Sequence, residues 1–267
     1  MTKCLAILAG QGDLPQMLAQ NNPDALFVTF LGVDVSVPDG IKHYRASFEK
    51  LGQLFDVLKQ SGVTDLVFAG AMARPALDPA KFDAKMITLA PRLMEIMARG
   101  DDALFRGIAE IFEAEGFSIK AAHAIQPDLL LPAGNHFGPE PSSLDQIDQA
   151  RALEVLAALS PLDISQAVVV AGGQVLGIET IQGTDAMLNY VATTPQHLLR
   201  KKAIMLKGPK KGQDIRFDVP TIGKDTVYAA AAAGLAGIYI LAGWVNVLHR
   251  DQVELAIKET GLFLRAL

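Results

Sequence analysis

Cysteine is nearly missing from this sequence of 267 residues: Cys4 is the only one. An intramolecular disulfide is therefore excluded, a reducing compartment is implied, and Cys4, at the head of an apolar run, reads as a small buried hydrophobe. An excess of positive charge is missing too. With 24 Lys and Arg against 29 Asp and Glu the net charge is −5, which excludes an overall nucleic-acid-binding surface and makes any anion site local. Hydrophobic residues at 50% and charged residues at 20% exclude disorder. The length suits one large domain or two small ones, burying roughly three quarters of the unfolded surface.

Long apolar runs are scarce. Residues 4–10 are apolar behind Lys3, but the run is short, and Asp13 and Pro15 stand where a signal peptide needs a small-residue cleavage site. Residues 226–248 carry no formal charge over twenty-three positions, enough to cross a bilayer, yet seven of them are alanine and three glycine. A helix to Ala233, a stop at Gly234 and a buried strand over 238–241 explain the stretch better. The metal-binding signatures of metallophosphoesterases also fail. Gly100-Asp101 and Gly134-Asn135-His136 resemble them, but the chain has no Asp-x-His and no Gly-His-x-His, and Phe137 follows His136 where an acid is wanted. His136 reads as a loop residue.

What is present is an alternation of strands and helices. Leu5–Ala9 runs into Gly10-Gln11-Gly12-Asp13-Leu14-Pro15, which reads as strand, glycine turn and helix, with Asp13 as N-cap and Pro15 near the first helical position. Glycines there let backbone approach a ligand, and the helix N-terminus favours a phosphate. The turn is only a fragment of the dinucleotide fingerprint, because the third glycine is missing and Asp34 lies past the second strand, 25–30. A helix over 48–60 leads to a second strand-into-glycine unit, 65–70, with Arg74 as a further anion contact. A parallel, doubly wound sheet follows, with residues 10–14 and 70–75 on one edge. Helices are expected at 84–98 and 103–114, with an aspartate of Gly100-Asp101-Asp102 as cap, and a strand at 117–122.

The Pro, Gly and Ser density of 131–143 reads as a linker. Beyond it the pattern predicts a helix at 145–159 and a hairpin of 167–171 with 175–181 across Gly172-Gly173-Gln174. Glu179 falls near the hairpin's end, and Thr184 or Asp185 caps a helix from Ala186. A strand at 203–206, a helix from an N-cap at Asp225, a helix at 251–260 and an edge strand at 262–264 complete the pattern.

Between these elements, residues 207–226 interleave five cations (Lys207, Lys210, Lys211, Arg216, Lys224) with three carboxylates (Asp214, Asp218, Asp225). Gly208, Pro209, Gly212, Pro220 and Gly223 forbid continuous structure. A loop of this kind suits an anionic ligand held with a divalent metal, and equally a solvated surface. Lys207 and Arg216, nearest the loop's ordered ends, are the cations expected on a diphosphate. Lys210 and Lys211 are expected in solvent.

Four stretches carry a resemblance across the chain: residues 8–15 (Leu-Ala-Gly-Gln-Gly-Asp-Leu-Pro), 100–104 (Gly-Asp-Asp-Ala-Leu), 183–187 (Gly-Thr-Asp-Ala-Met), and 214–223 (Asp-Ile-Arg-Phe-Asp-Val-Pro-Thr-Ile-Gly) with Asp225-Thr226. Together they resemble the UDP-2,3-diacylglucosamine pyrophosphatases of the type unrelated to metallophosphoesterases. Gln182 departs from that pattern, which more often shows an acid there. The resemblance implies a Mg²⁺-dependent hydrolase of lipid A biosynthesis in Gram-negative bacteria, splitting its substrate into UMP and 2,3-diacylglucosamine 1-phosphate.

The implied architecture is α/β: a Rossmann-like nucleotide- or substrate-binding domain over 1–131, a linker over 132–144 and a distinct α/β catalytic domain over 145–267. The expected catalytic residue is Asp225; the expected substrate contacts are Gly10, Gln11, Gly12, Asp13, Leu14, Thr184, Asp185, Lys207 and Arg216; the expected Mg²⁺ ligands are Asp225, Asp214 and Asp218. The expected partner is a small lipid-nucleotide, with no nucleic acid, a peripheral contact with inner-membrane lipid from the cytoplasm, and a homodimer left open. A noncatalytic nucleotide- or lipid-binding protein, or an NAD-dependent oxidoreductase, stands as the alternative.

Overall fold

The most apolar strand of the N-terminal half, β1 (Cys4–Ala9), lies at the centre of its sheet in a computed structural model that describes residues 4–72, 75–97, 101–217 and 219–267. It is flanked by β2 (Leu26–Phe30) and β4 (Val63–Ala69), with β3 (Lys42–Ala46) and β5 (Ser118–Lys120) outside them. The order β3-β2-β1-β4-β5 is parallel throughout. This is the doubly wound arrangement that the alternating pattern predicts, with its reversal of strand order beside β1. Helices α1 (Leu14–Asn21), α2 (Leu51–Gln60), α3 (Ala84–Met97), α4 (Asp101–Ala114) and the short α5 (Ala122–Ile125) connect the strands. A core of Leu8, Val28, Leu54, Phe55, Leu66 and Phe112 covers one face of the sheet. Cys4 is half-buried against that core. The strand β3 was not expected: its Lys42, His43 and Arg45 are exposed, as an edge position allows, so no apolar alternation marks it.

The chain divides into two compact units, 1–127 with 216–218, and 128–215 with 219–267. In the second unit a mixed sheet runs in the order β6-β13-β11-β9-β7-β8. Its strands are β6 (His136–Phe137), β7 (Ala167–Ala171), β8 (Gln174–Ile178), β9 (Ile204–Lys207), β11 (Gly237–Ile240) and β13 (Phe263–Ala266). Two expectations change here. Residues 132–144 contain β6, which pairs antiparallel with β13 and puts His136 in a strand, so β13 is interior and not an edge. The physical reason is that the carbonyls and amides of β13 would otherwise stay unpaired, and this short stretch covers them.

The second unit also holds α6 (Ser143–Leu159), α7 (Gly183–Ala192), α8 (Lys224–Ala232) and α9 (Arg250–Thr260), and a small parallel pair, β10 (Thr221–Ile222) with β12 (Asn246–Val247). The uncharged stretch behaves as expected: α8 ends before Gly234, whose φ of 73° suits a glycine, and β11 is fully buried. Among the described residues no helix is long and apolar enough to cross a membrane.

The β7–β8 hairpin turns on Gly172 and Gly173, at φ of 56° and 79°, the left-handed pair that a tight two-residue hairpin demands. Both amides donate to the buried carboxylate of Asp148 on α6, at 2.9 and 2.7 Å, and Lys201 Nζ lies 3.1 Å from the same group. The turn is thereby tied to α6 by charge-assisted hydrogen bonds.

Candidate functional site

In the first unit the candidate site is the end of β1, where strand order reverses. The amide of Gly10 donates to Ala69 O at 2.7 Å, and Gln11 and Ala71 exchange backbone hydrogen bonds at 2.8 and 2.9 Å. A Cβ on Gly10 would lie 2.5 Å from Ala71 O, and one on Gly70 the same distance from Gln11 O. Backbone meets backbone here, so these two glycines are required by the strand crossing itself. Gly12 differs: its φ is 97°, and nothing lies within 4 Å of the position its Cβ would take. Gln11, Gly12 and Asp13 are exposed at the entrance to α1, Leu14 is half-buried, and Pro15 is buried at the helix start. Asp13 occupies the cap position as expected, but its carboxylate makes no capping bond. This leaves first-turn amides to attract an anion, with helix polarity in their favour. Arg74 and Gly100 lie outside the described residues, as do the side chains of Asp101 and Asp102.

In the second unit a buried charge is the most informative feature. Lys207 ends β9 in the middle of the sheet, paired across to Ala167 and Ile240, and is only 4% exposed. Its ammonium lies 3.3 and 3.5 Å from the two oxygens of Glu179, itself 8% exposed, and donates to Thr184 Oγ1 at 2.5 Å. The Thr184 hydroxyl donates onward to Glu179 Oε1 at 2.6 Å. Isolated burial of such charges would be very costly, and this closed ring of partners offsets that cost. The helix α7 begins at Gly183 with Gln182 at its cap, which corrects the expectation that Thr184 or Asp185 caps it. Thr184 turns inward to Glu179 instead, and Asp185 is an exposed first-turn acid.

Between β8 and α7 runs a mainly apolar groove of about 430 Å³, lined by Val175, Leu176, Ile178, Ala186, Met187 and Tyr190 together with the polar Thr180 and Gln182. Ile181, 93% exposed, and Tyr190 are unusually bare apolar groups nearby.

The charged loop resolves into distinct environments. Lys210 pairs with Asp163 at 2.6 Å, contrary to the expectation that it is solvated; Lys211 is exposed. Arg216, grouped with the first unit, pairs with Glu113 at 2.6 Å, and Phe217 packs on Phe68 and Phe105 there. Asp214 is half-buried, and Asp218 lies outside the described residues.

Asp225 is exposed in the first turn of α8. The cap is Gly223, not Asp225 as expected, and Gly223 N donates to Thr226 Oγ1 at 3.3 Å, so the Asp225 carboxylate is not spent on capping. The turn before it is pinned: Asn246 N donates to Pro220 O at 2.8 Å and Leu248 N to Ile222 O at 2.9 Å. Tyr228, one turn on, has its pKa raised by a 2.5 Å hydrogen bond to Glu259 and, more weakly, by the negative charge of Asp225.

Among the described residues no three His, Cys, Asp or Glu side chains gather as a metal cluster. The donors present, an exposed Asp225 and a half-buried Asp214, suit Mg²⁺ of the kind that takes one or two carboxylates and completes its shell with water and phosphate. Sequence reasoning missed Glu179 as a site residue. Its one signal is parity: in an alternating strand it shares a face with Gly177, which packs on Met187 and Val191 of α7.

Comparison with known proteins spans both units. A family model described as the LpxI N-terminal domain matches residues 4–129, and one described as the LpxI C-terminal domain matches 132–265. The chain is 34% identical to the UDP-2,3-diacylglucosamine pyrophosphatase LpxI of Caulobacter vibrioides, over 97% of this chain and 96% of that protein. Two successive matches in order, over nearly every residue, settle the kinship: the chain belongs to the LpxI family.

Proposed function

We propose that this chain hydrolyses the diphosphate of UDP-2,3-diacylglucosamine, releasing UMP and 2,3-diacylglucosamine 1-phosphate. The observation that carries this reading is the similarity to a relative of that activity along the whole length of both chains. In the reaction, water adds to one phosphorus, the bond from that phosphorus to the bridging oxygen breaks, and the water's proton leaves to solvent or a base.

The chemistry needs charge neutralised on two phosphoryl groups and a water aligned with the leaving oxygen. Lys207 is the cation for the first task, held by Glu179 and Thr184. Asp225 is the catalytic residue for the second, on a helix start fixed by β10 and β12 and free of capping duty. Mg²⁺, held by Asp225 with Asp214, would neutralise phosphoryl charge. The open first turn of α1, with Gly12 leaving space above it, supports binding of the nucleotide's uridine or phosphate side; Arg216 supplies a further cation.

The apolar groove along β8 and α7 supports an amphiphilic substrate, since an acyl chain gains about 0.8 kcal/mol per buried methylene. The lipid would be drawn from the cytoplasmic face of the inner membrane by peripheral contact.

Purified protein with UDP-2,3-diacylglucosamine and Mg²⁺ tests the reading by product identity. Equal amounts of UMP and the phosphorylated lipid, abolished by EDTA, are expected. Substrate bound but unchanged would leave a binding protein, and a change in nicotinamide absorbance would mark an oxidoreductase.

A further inference from the structure

The ammonium of Lys207 has three N–H donors and no acceptor. Three oxygens of two residues accept from it: Thr184 Oγ1 at 2.5 Å and the two carboxylate oxygens of Glu179 at 3.3 and 3.5 Å. Both carboxylate contacts are long for charge-assisted hydrogen bonds, so a donor held there is one that a phosphoryl oxygen can share. The donor's aim is fixed by Glu179, whose own position is fixed twice: its backbone amide donates to Ala167 O at 2.9 Å, and its Oε1 accepts from Thr184 at 2.6 Å. Lys207 is equally constrained, since Leu241 N donates to its carbonyl at 3.1 Å and its neighbour Gly208 donates to Gln166 O at 2.9 Å. Gly208 itself leaves no room for a side chain, because a Cβ there would fall 2.5 Å from Leu241 Cδ1. A lysine in solvent samples many rotamers, whereas this one is held by the two strands flanking β9, by Glu179 and by Thr184 in the first turn of α7.

We infer that Glu179 is a positioning residue for the hydrolysis, acting with the Thr184 hydroxyl to hold the Lys207 ammonium so that one of its donors meets a phosphoryl oxygen of the substrate. The inference rests on the proposed function. Glu179 does not touch substrate; it acts through Lys207. The bland alternative is an ion pair that only stabilises the fold, and the two diverge when both charges are removed together. A buried pair replaced as a whole leaves no uncompensated charge, so stability returns, but the phosphoryl group has still lost its cation.

The experiment compares the full chain with the Glu179→Gln, Lys207→Met and Glu179→Gln/Lys207→Met variants, measuring kcat, KM and melting temperature with UDP-2,3-diacylglucosamine and Mg²⁺. The Glu179→Gln variant keeps volume and a hydroxyl partner, and its kcat is expected to fall about 10- to 100-fold, the scale of losing a charge-assisted hydrogen bond, with KM within about threefold. The double variant is expected to melt nearer the wild type than either single variant while remaining as inactive as Lys207→Met. If activity returns with stability in the double variant, or if Glu179→Gln keeps wild-type kcat, the inference is overturned. An inactive wild-type chain overturns the proposed function instead, and is read before any variant.

Discussion

Asp145 shows how one side chain sets a pH range for stability. Burial pushes its pKa up, but hydrogen bonds from Lys201, at 2.6 Å, and from Ser142 outweigh that and hold it below the ordinary carboxylate value. A carboxylate depressed in the folded state contributes stability above its unfolded pKa and loses it as pH falls through the folded pKa. The melting temperature of Asp145→Asn should therefore lie below wild type at neutral pH, and the gap should close as pH falls from about 4 towards 2. A gap that is constant with pH would assign Asp145 a packing role alone. Glycine positions separate in the same way. Gly10→Ala drives a methyl against the Ala71 carbonyl, so a loss of about 1–3 kcal/mol is expected in denaturant unfolding, with or without ligand. Unchanged stability would mean the β1–β4 crossing can spread. Gly12, at a positive φ, is strained by any substitution even though space surrounds it, so kinetics of a Gly12 variant are read only beside its stability.

Among elements, the β7–β8 hairpin and α6 form a unit through Asp148. Truncation of Asp148 to alanine leaves two amides without their acceptor while Lys201 keeps Asp145, and a loss of about 2–4 kcal/mol is expected in chemical unfolding. A loss below about 1 kcal/mol would show the glycine turn to be self-sufficient. The groove beside the same hairpin makes a kinetic prediction. Ala186 is exposed, so Ala186→Trp should fold normally, yet fill the groove; excluding two methylenes at about 0.8 kcal/mol each raises KM roughly tenfold. An unchanged KM would remove the acyl chain from this groove.

These elements also show what the sequence could reveal. Continuous apolar strands, glycine turns and the Gly-Gly hairpin were legible because each is a local signal: β1, β4, β7 and α8 fall within a few residues of expectation. What pairs across the sheet was not. The strand β6 looks like a linker because only β13 makes it a strand, and β3 hides behind its exposed charges. The caps were misassigned at α7 and α8 for a related reason, since Thr184 finds a better acceptor in Glu179 and a backbone amide finds Thr226. Glu179 itself, unlike Lys207, sits in no charged motif and becomes visible only once β8 and β9 share a sheet.

At the scale of the whole molecule, two units with separate cores should not melt as one. Trp244, the single tryptophan, lies in the second unit and reports on it alone, whereas far-ultraviolet circular dichroism reports on both. Urea transitions followed by the two signals are expected to have different midpoints, and coincident curves would show the units to be coupled into one cooperative system. The central claim is that this LpxI-family chain is a hydrolase acting through the carboxylate that opens α8. Its most direct test is the rate of UMP release from UDP-2,3-diacylglucosamine at saturating Mg²⁺, for the wild type and Asp225→Asn side by side, with matched melting temperatures. Asparagine at an exposed, non-capping position leaves the fold alone, so kcat is expected to fall by about 10² to 10³ or more, the scale of removing one transition-state contact. Near-normal kcat in Asp225→Asn, or no UMP from the wild type, would contradict the account.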